Sequence, residues 1–278
     1  MIDVIFENEE FLVVNKPNNA DFHDNEETLG FFNTVKETLN LNELYPVHRL
    51  DKVTSGLLLI AKTKFVCAHL TRLFQERSIE KLYLALAYGK PKKKQGLIKG
   101  DMIRARRGAW RLDRTLNNPA QTHFLSYSVE SGLRLYLLYP KTGKTHQLRA
   151  ALKSLGTPIL GDHLYGGGDY QCDNHPESVF INIAPKDEHR VYLHAFALRF
   201  HYCDQEFSFF TFPQTGLWSK EVISQSLGCD SYVHQQGSFI KTLNVGESEI
   251  DSGLNAAAKS DFSQLRSIFD LFSKKVKS

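Results

Sequence analysis

The sequence predicts an α+β fold, and three observations carry that reading. Apolar and polar residues alternate at Ile2, Val4 and Phe6, and an apolar stretch from Phe11 to Val14 follows an acidic turn, the pattern of an opening hairpin. A continuous apolar run from Leu57 to Ala61 has the length of a buried strand. Helical spacing, by contrast, is confined to a few short segments.

The elements follow in order. Lys16-Pro17 ends the opening hairpin, residues 18 to 30 are polar and loop-like, and Leu29 to Leu41 contains a short helix. Thr63 caps a helix that carries Val66, Leu70, Leu73 and Phe74 on one face. Ile79 to Tyr88 reads as a long strand bearing Lys81 and Tyr83. Residues 90 to 114 form an excursion rich in lysine and arginine, with Arg104, Arg106 and Arg107 close to Trp110. Phe124 to Val129 and Leu133 to Tyr139 pair around Ser131-Gly132. After the turn at Lys141 to Lys144, a helix starts at Thr145 and is closed by Gly156. Its inner face is Leu148, Ala151, Leu152 and Leu155, and Arg149 lies near its start. Val191 to Phe200 and Phe207 to Phe212 complete the strand-rich part, so residues 1–214 read as one domain. Residues 215–278 are Ser-rich and charge-balanced, without a clear strand. They read as an extension whose terminal helix, from about Asp261, packs on the body through Leu265, Ile268, Phe269 and Phe272.

Composition narrows the function classes. With 42% hydrophobic and 23% charged residues over 278 positions, the chain is an ordinary globular protein with a substantial core. MIDVIFENEE has neither the basic nor the apolar segment of a secretory signal, and no apolar run is long enough to cross a membrane, so a cytoplasmic protein is expected. Cys67, Cys172, Cys203 and Cys229 are scattered, which fits reduced thiols. Cys172 and His175 have ligand-like spacing but no matching pair, so no structural zinc is expected. The net charge of +3 conceals a division: residues 1–45 carry −8 and residues 46–115 carry +12. Such a local basic region binds polyanions by neutralising phosphates.

That basic region surrounds Val47 to Ala61, VHRLDKVTSGLLLIA, where a polar cluster runs straight into the buried strand. Asp51 therefore sits in a loop at the mouth of a core strand, a place where rigid scaffolds present catalytic groups. Local composition alone favours a turn residue capping backbone amides. Arg49 and Lys52 favour its ionised form, as a nucleophile or base requires. His48-Arg49-Leu50-Asp51 is not the kinase His-Arg-Asp loop, and no glycine-rich loop precedes it. Thr142-Gly143-Lys144-Thr145 lacks the earlier glycine of a phosphate-binding P-loop, having Leu138 in its place. Thr54-Ser55-Gly56 lacks the hydrolase elbow around a serine nucleophile.

Taken together, these blocks make the chain resemble the RluA-type RNA pseudouridine synthases. The resemblance rests on His48-Arg49-Leu50-Asp51 followed by Thr54-Ser55-Gly56-Leu57-Leu58, and on Lys81-x-Tyr83-x-Ala85 ending at Gly89. It also rests on Lys141-Thr142-Gly143-Lys144-Thr145-His146-Gln147-Leu148-Arg149 and on Leu193-His194-Ala195. Val13-Val14-Asn15-Lys16-Pro17 and Gly156-x-Pro158-Ile159-x-Gly161-Asp162 add weaker support, and the blocks keep the family's order over residues 1–214.

The resemblance implies a mixed, mainly antiparallel sheet with flanking helices and a central RNA-binding cleft. It implies isomerisation of uridine to pseudouridine in structured rRNA or tRNA, without cofactor or metal. Asp51 would be the catalytic carboxylate, Tyr83 would stack on the target base and Arg149 would pair with Asp51. His48, Arg49, Thr54, Ser55, Lys81, Lys144, His146, Gln147, Arg104, Arg106 and Arg107 would contact the RNA, Arg49 helping to fill the space of the flipped nucleotide. A monomer without an obligate protein partner is expected, in the short form lacking a separate N-terminal RNA-binding domain. After Lys16-Pro17, Asn18-Asn19-Ala20-Asp21 departs from the small-residue turn usual in the family. Two other classes remain: a non-catalytic RNA-binding protein using the same cleft, and a glycosidase-like hydrolase, for which no second carboxylate is evident beside the motifs.

Overall fold

A computed structural model describes residues 1–24, 28–129, 132–168, 190–213 and 215–218, with the backbone of 219 and 236–242. The chain runs β1 (Asp3–Glu7), β2 (Phe11–Lys16), α1 (Phe31–Thr38), β3 (Tyr45–Pro46), β4 (Ser55–Ala61), α2 (Lys64–Gln75) and β5 (Glu80–Tyr88). It continues with β6 (Gln95–Arg104), β7 (Trp110–Asp113), β8 (Pro119–Ser128), β9 (Leu133–Pro140), α3 (Gln147–Ser154), β10 (Leu193–Tyr202), β11 (Gln205–Thr211) and β12 (Gln236–Thr242). The principal sheet order is β1-β2-β4-β10-β5-β9-β8-β6-β7, with β11 and then β12 added beside β10. Among the described strands the pairings are antiparallel except β4 with β10. This is the expected α+β architecture with a mixed, mainly antiparallel sheet.

The apolar run in β4 is continuous because both faces of that strand are covered. Leu57, Leu59 and Ala61 pack with Phe11, Phe200 and Phe209 and with Val66 and Leu70 of α2. Leu58 and Ile60 point the other way, against Leu12, Val14 and the α1 residues Phe31 and Val35. Burying each such side chain contributes roughly 1.5–3 kcal/mol, so the strand that leads out of the Asp51 loop is among the most firmly held in the molecule. Thr63 caps α2 as expected, its hydroxyl accepting the Val66 amide at 3.2 Å. On the other side of β10, α3 lays Leu148, Ala151 and Leu152 on Ala85, Ala87, Tyr136 and Leu138.

The short parallel pairing of β4 with β10 places Ser55 beside His194 and Gly56 beside Ala195. Gly56 has φ +108°, and a Cβ there would lie 2.3 Å from the Ala195 carbonyl oxygen. Gly56→Ala is therefore expected to destabilise the fold by roughly 2–4 kcal/mol, combining backbone strain with a main-chain clash. Urea titration checks this; a wild-type midpoint would show that the two strands separate without cost.

Two expectations are corrected. The basic excursion is a β-hairpin within the sheet rather than an irregular loop: β6 pairs with β8 on one side and with β7 on the other. The region after 214 does contain a strand, β12, paired along its whole length with β11. Leu217 and Trp218 are also buried in the main core. The proposed helix from about Asp261 lies outside the described residues, as do Cys172 and His175.

Candidate active site

A cavity of about 520 Å³ opens where three segments converge: the 47–54 loop before β4, the start of β5, and the 140–149 turn leading into α3. Leu50 is buried with Leu58 and Ile60, so the loop is nailed to the core one residue before Asp51. The Thr54 amide donates to the Asp51 carbonyl at 3.0 Å, closing a turn. That turn is gripped from behind. The fully buried Lys16 ammonium donates to the carbonyls of Pro17, Ala20 and Lys52 at 2.9, 2.8 and 3.0 Å. Burial pulls this amine down to about 8, while the three carbonyls take its three protons. Asn18, in the segment that departs from the family pattern, donates to the carbonyls of Val53 and Val191 at 2.6 and 3.0 Å. Lys52 pairs with Asp21 at 2.7 Å on the surface.

Asp51 lies partly exposed at the cavity floor, its side chain 26% accessible. Its Oδ2 faces Arg149 Nη1 at 3.7 Å and His146 Nε2 at 3.9 Å. The expected pairing of Arg149 with Asp51 is thus present at long range, but the short bonds of Arg149 go elsewhere. Its Nε and Nη2 make a bidentate contact with Asp162 at 2.7 and 2.8 Å. Both side chains are buried, Asp162 at 1% exposure, and the guanidinium carbon also lies 4.9 Å from the Tyr165 ring centroid. Asp162 aims the arginine, which leaves one nitrogen directed at Asp51.

Tyr83 and Lys81 project from the same face of β5 into the cavity. Burial raises the Tyr83 phenol well above its ordinary value, with the Asp51 charge adding to the effect, so it remains a neutral ring. Lys81 lies 5.5 Å from the Phe74 ring centroid and has no hydrogen-bond or ion-pair partner among the described residues. Burial lowers its amine to about 8. Arg49 is exposed at the cavity rim, and Thr54 is buried in its wall.

Several residues expected to contact RNA also make bonds within the scaffold, and of these His48, Lys144 and Gln147 line the cavity. His48 Nε2 accepts the Leu59 amide at 3.0 Å and its ring stacks on Phe74, while burial lowers its pKa to about 3. Ser55 turns away from the cavity and bonds His194 Nδ1 at 2.9 Å. Gln147 accepts from Thr142 Oγ1 and the Lys144 amide and donates to Gln121 O and Thr122 Oγ1, so its amide group is saturated. Lys144 donates its ammonium to the Asn118 carbonyl. Arg104, Arg106 and Arg107 do not line the Asp51 cavity; they are exposed at the tip of the β6–β7 hairpin, Arg104 stacked 5.6 Å over Trp110.

Sequence reasoning did not single out Asp162, Tyr165 or Asn18 as site residues. Arg149 gave a signal for the first, since an arginine beside a helix's apolar stripe requires a buried acid, and Gly161-Asp162 stood among the matched blocks. Tyr165 accepts the Trp110 amide at 2.9 Å and meets His146 Nδ1 at 3.0 Å, a link invisible without coordinates. Among the described residues no group of three or more His, Cys, Asp or Glu is arranged to hold a metal, and no helix is long and apolar enough to cross a membrane.

Known proteins are similar to this chain in sequence and in fold. The family model described as RNA pseudouridylate synthase matches residues 10–154, which include Asp51, Tyr83 and Arg149. A Haemophilus influenzae protein named as an uncharacterized RNA pseudouridine synthase is 45% identical over 81% of this chain and 94% of its own. The dual-specificity RNA pseudouridine synthase RluA of Salmonella typhimurium is 32% identical over 69% of this chain and 83% of its own. The solved structure of human RNA pseudouridylate synthase domain containing 1 superposes with a TM-score of 0.60 at 25% identity, covering 77% of this chain and 84% of that one. With the family model matching more than half of the chain and a relative 45% identical over most of it, the chain belongs to the RNA pseudouridylate synthase family.

Proposed function

We propose that this enzyme converts uridine to pseudouridine at defined positions in structured rRNA or tRNA, with Asp51 as the catalytic carboxylate. The observation that carries the reading is the setting of Asp51. Its carboxylate lies in the cavity with Arg149 at 3.7 Å and His146 at 3.9 Å, and among the described residues it accepts no short hydrogen bond. It is thus oriented by the guanidinium and the imidazole and left free to meet a sugar carbon. Tyr83 supplies the platform for a uracil ring turned out of its stack, a step that costs a few kcal/mol. The Arg49 side chain at the rim fills the space of the flipped nucleotide, and the arginines of the β6–β7 hairpin contact phosphates farther along the strand.

The chemistry balances without an outside reagent. The N1–C1′ bond breaks, the C5–C1′ bond forms, C5 loses a proton and N1 gains one. Asp51 acts either as a nucleophile at C1′ or as a base at C2′. We place the reaction in the cytoplasm, in a monomer that uses no metal or cofactor. We take residues 1–214 as the catalytic domain and 215–278 as an extension joined to its sheet through β12.

Transcripts labelled with tritium at uridine C5 test the reading. Isomerisation releases tritium to solvent and yields no free uracil; a hydrolase would release labelled uracil, and a pure RNA binder would release neither.

Lys81, which lies over the Phe74 ring and has no hydrogen-bond or ion-pair partner among the described residues, is assigned to an RNA phosphate. Lys81→Met is expected to weaken RNA binding several-fold and to flatten the salt dependence by about 0.7–0.9 in log–log slope, the release of one counterion. Because the ammonium is lost as pH rises through about 8, wild-type affinity should fall on the alkaline side, and that fall should be absent in the methionine variant. Fluorescence anisotropy with labelled RNA measures both; an unchanged slope would remove Lys81 from the interface.

A further inference from the structure

His146 stands at the N-terminus of α3 with φ +53°, a left-handed conformation that a histidine adopts at some energetic cost. The strain turns its imidazole edge-on between two groups: Nδ1 meets the Tyr165 hydroxyl at 3.0 Å, and Nε2 faces Asp51 Oδ2 at 3.9 Å. The same hydroxyl accepts the Trp110 amide of the β6–β7 hairpin at 2.9 Å. Tyr165 is 4% exposed, and among the described residues its phenolic hydrogen has one acceptor, His146 Nδ1. If Nδ1 carried the imidazole proton, that hydrogen would be buried without a partner, at a cost of roughly 1–3 kcal/mol. A bare Nε2 would also point its lone pair at a carboxylate. Both penalties select the tautomer with hydrogen on Nε2.

We propose that Tyr165 is a positioning residue that ties the arginine-bearing hairpin to the catalytic carboxylate: the docked hairpin holds the phenol, the phenol fixes His146 as its Nε2–H tautomer, and that N–H presents a neutral donor to Asp51. The inference rests on the assignment of Asp51 made above. Arg104, Arg106 and Arg107 stand at the hairpin tip, and Trp110, whose ring lies under Arg104, gives the docking amide. RNA seated on the hairpin therefore acts on the same element that orients the donor at Asp51. The charged groups around the imidazole are Asp51 and Asp162, which favour its protonation, and Arg149 and Arg49, which oppose it. Burial is the largest influence and keeps the ring neutral, in keeping with a phenol that donates to Nδ1.

The test is ¹⁵N spectroscopy of the full-length protein labelled at histidine, with His146 identified by the signal lost in His146→Gln. Wild type should show a protonated Nε2 and a bare Nδ1 between about pH 6 and pH 8. In Tyr165→Phe both tautomers should appear and the ring should protonate at higher pH. Pseudouridine formation should lose roughly ten- to a hundredfold in kcat with KM for RNA nearly unchanged, and kcat should gain an acid limb below about pH 6.5. A wild-type ring protonated at Nδ1 overturns the proposal. So does a Tyr165→Phe enzyme with unchanged tautomer and pH profile, or one altered in KM alone. The wild-type spectrum decides the tautomer whether or not the variant folds. It also requires no turnover, so an Nε2–H ring in a protein that makes no pseudouridine would refute the isomerase reading and leave the link intact.

Discussion

Asp51→Asn should reduce kcat by at least about 10⁴-fold while leaving the protein folded and able to bind RNA. The substitution preserves shape and removes the charge that either chemical route requires. Its structural cost is small because the side chain is partly exposed and its contacts to Arg149 and His146 are 3.7 and 3.9 Å long. The loop itself is held by Leu50 in the core and by Lys16 and Asn18 behind it, none of which touches the carboxylate. Single-turnover kinetics with excess enzyme, together with thermal unfolding, separate the two effects. A variant retaining a tenth of the wild-type rate would show that the carboxylate is a turn residue, as local composition alone suggests.

Arg149→Met has the opposite profile, a large loss of both stability and activity. Methionine leaves the Asp162 carboxylate, 1% exposed, without the cation that satisfies both its oxygens. Removing one member of a buried pair costs roughly 3–5 kcal/mol, or about 10 °C in Tm for a chain of this size. Asp51 loses its guanidinium neighbour in the same step. Combining Arg149→Met with Asp162→Leu should restore much of the Tm, since no charge is then stranded, yet leave the enzyme inactive. Calorimetry of the two variants checks this; equal instability in both would mean that Asp162 is satisfied by another group.

These two residues also mark how far the sequence could be read. A polar cluster abutting an apolar run drew attention to Asp51, but local composition favoured a turn residue and its role came from the family resemblance. Leu57 to Ala61 is apolar because α1 and α2 cover the two faces of β4. The α2 cap and the β8–β9 pairing were legible for a similar local reason: a capping side chain and a turn between two apolar runs are written within a few residues. The β6–β7 hairpin was hidden because its lysines and arginines suppress alternation; in β6 only Ile98 and Gly100 are buried. Outer strands are kept polar and cationic, which blunts further pairing. Strand β12 was hidden in a Ser-rich segment whose pairing is set by β11, not by its own pattern.

At the site, residue types were legible and their engagements were not. His48, Ser55 and Gln147 are polar residues in matched motifs, yet each spends its hydrogen-bonding capacity on backbone or buried neighbours. Asp162 and Tyr165 reach the site through tertiary packing, across the turn that follows α3. Which polar residue faces the substrate and which holds the one that does is decided by geometry, and no spacing rule encodes it.

The most direct test of the central claim is to incubate unmodified tRNA and large-subunit rRNA transcripts with wild type and Asp51→Asn and to map pseudouridine at single-nucleotide resolution. The account predicts pseudouridine at one or a few defined uridines with the wild-type enzyme and none with the variant. Pseudouridine formed equally by both proteins would contradict it, as would transcripts that are bound tightly and left unmodified.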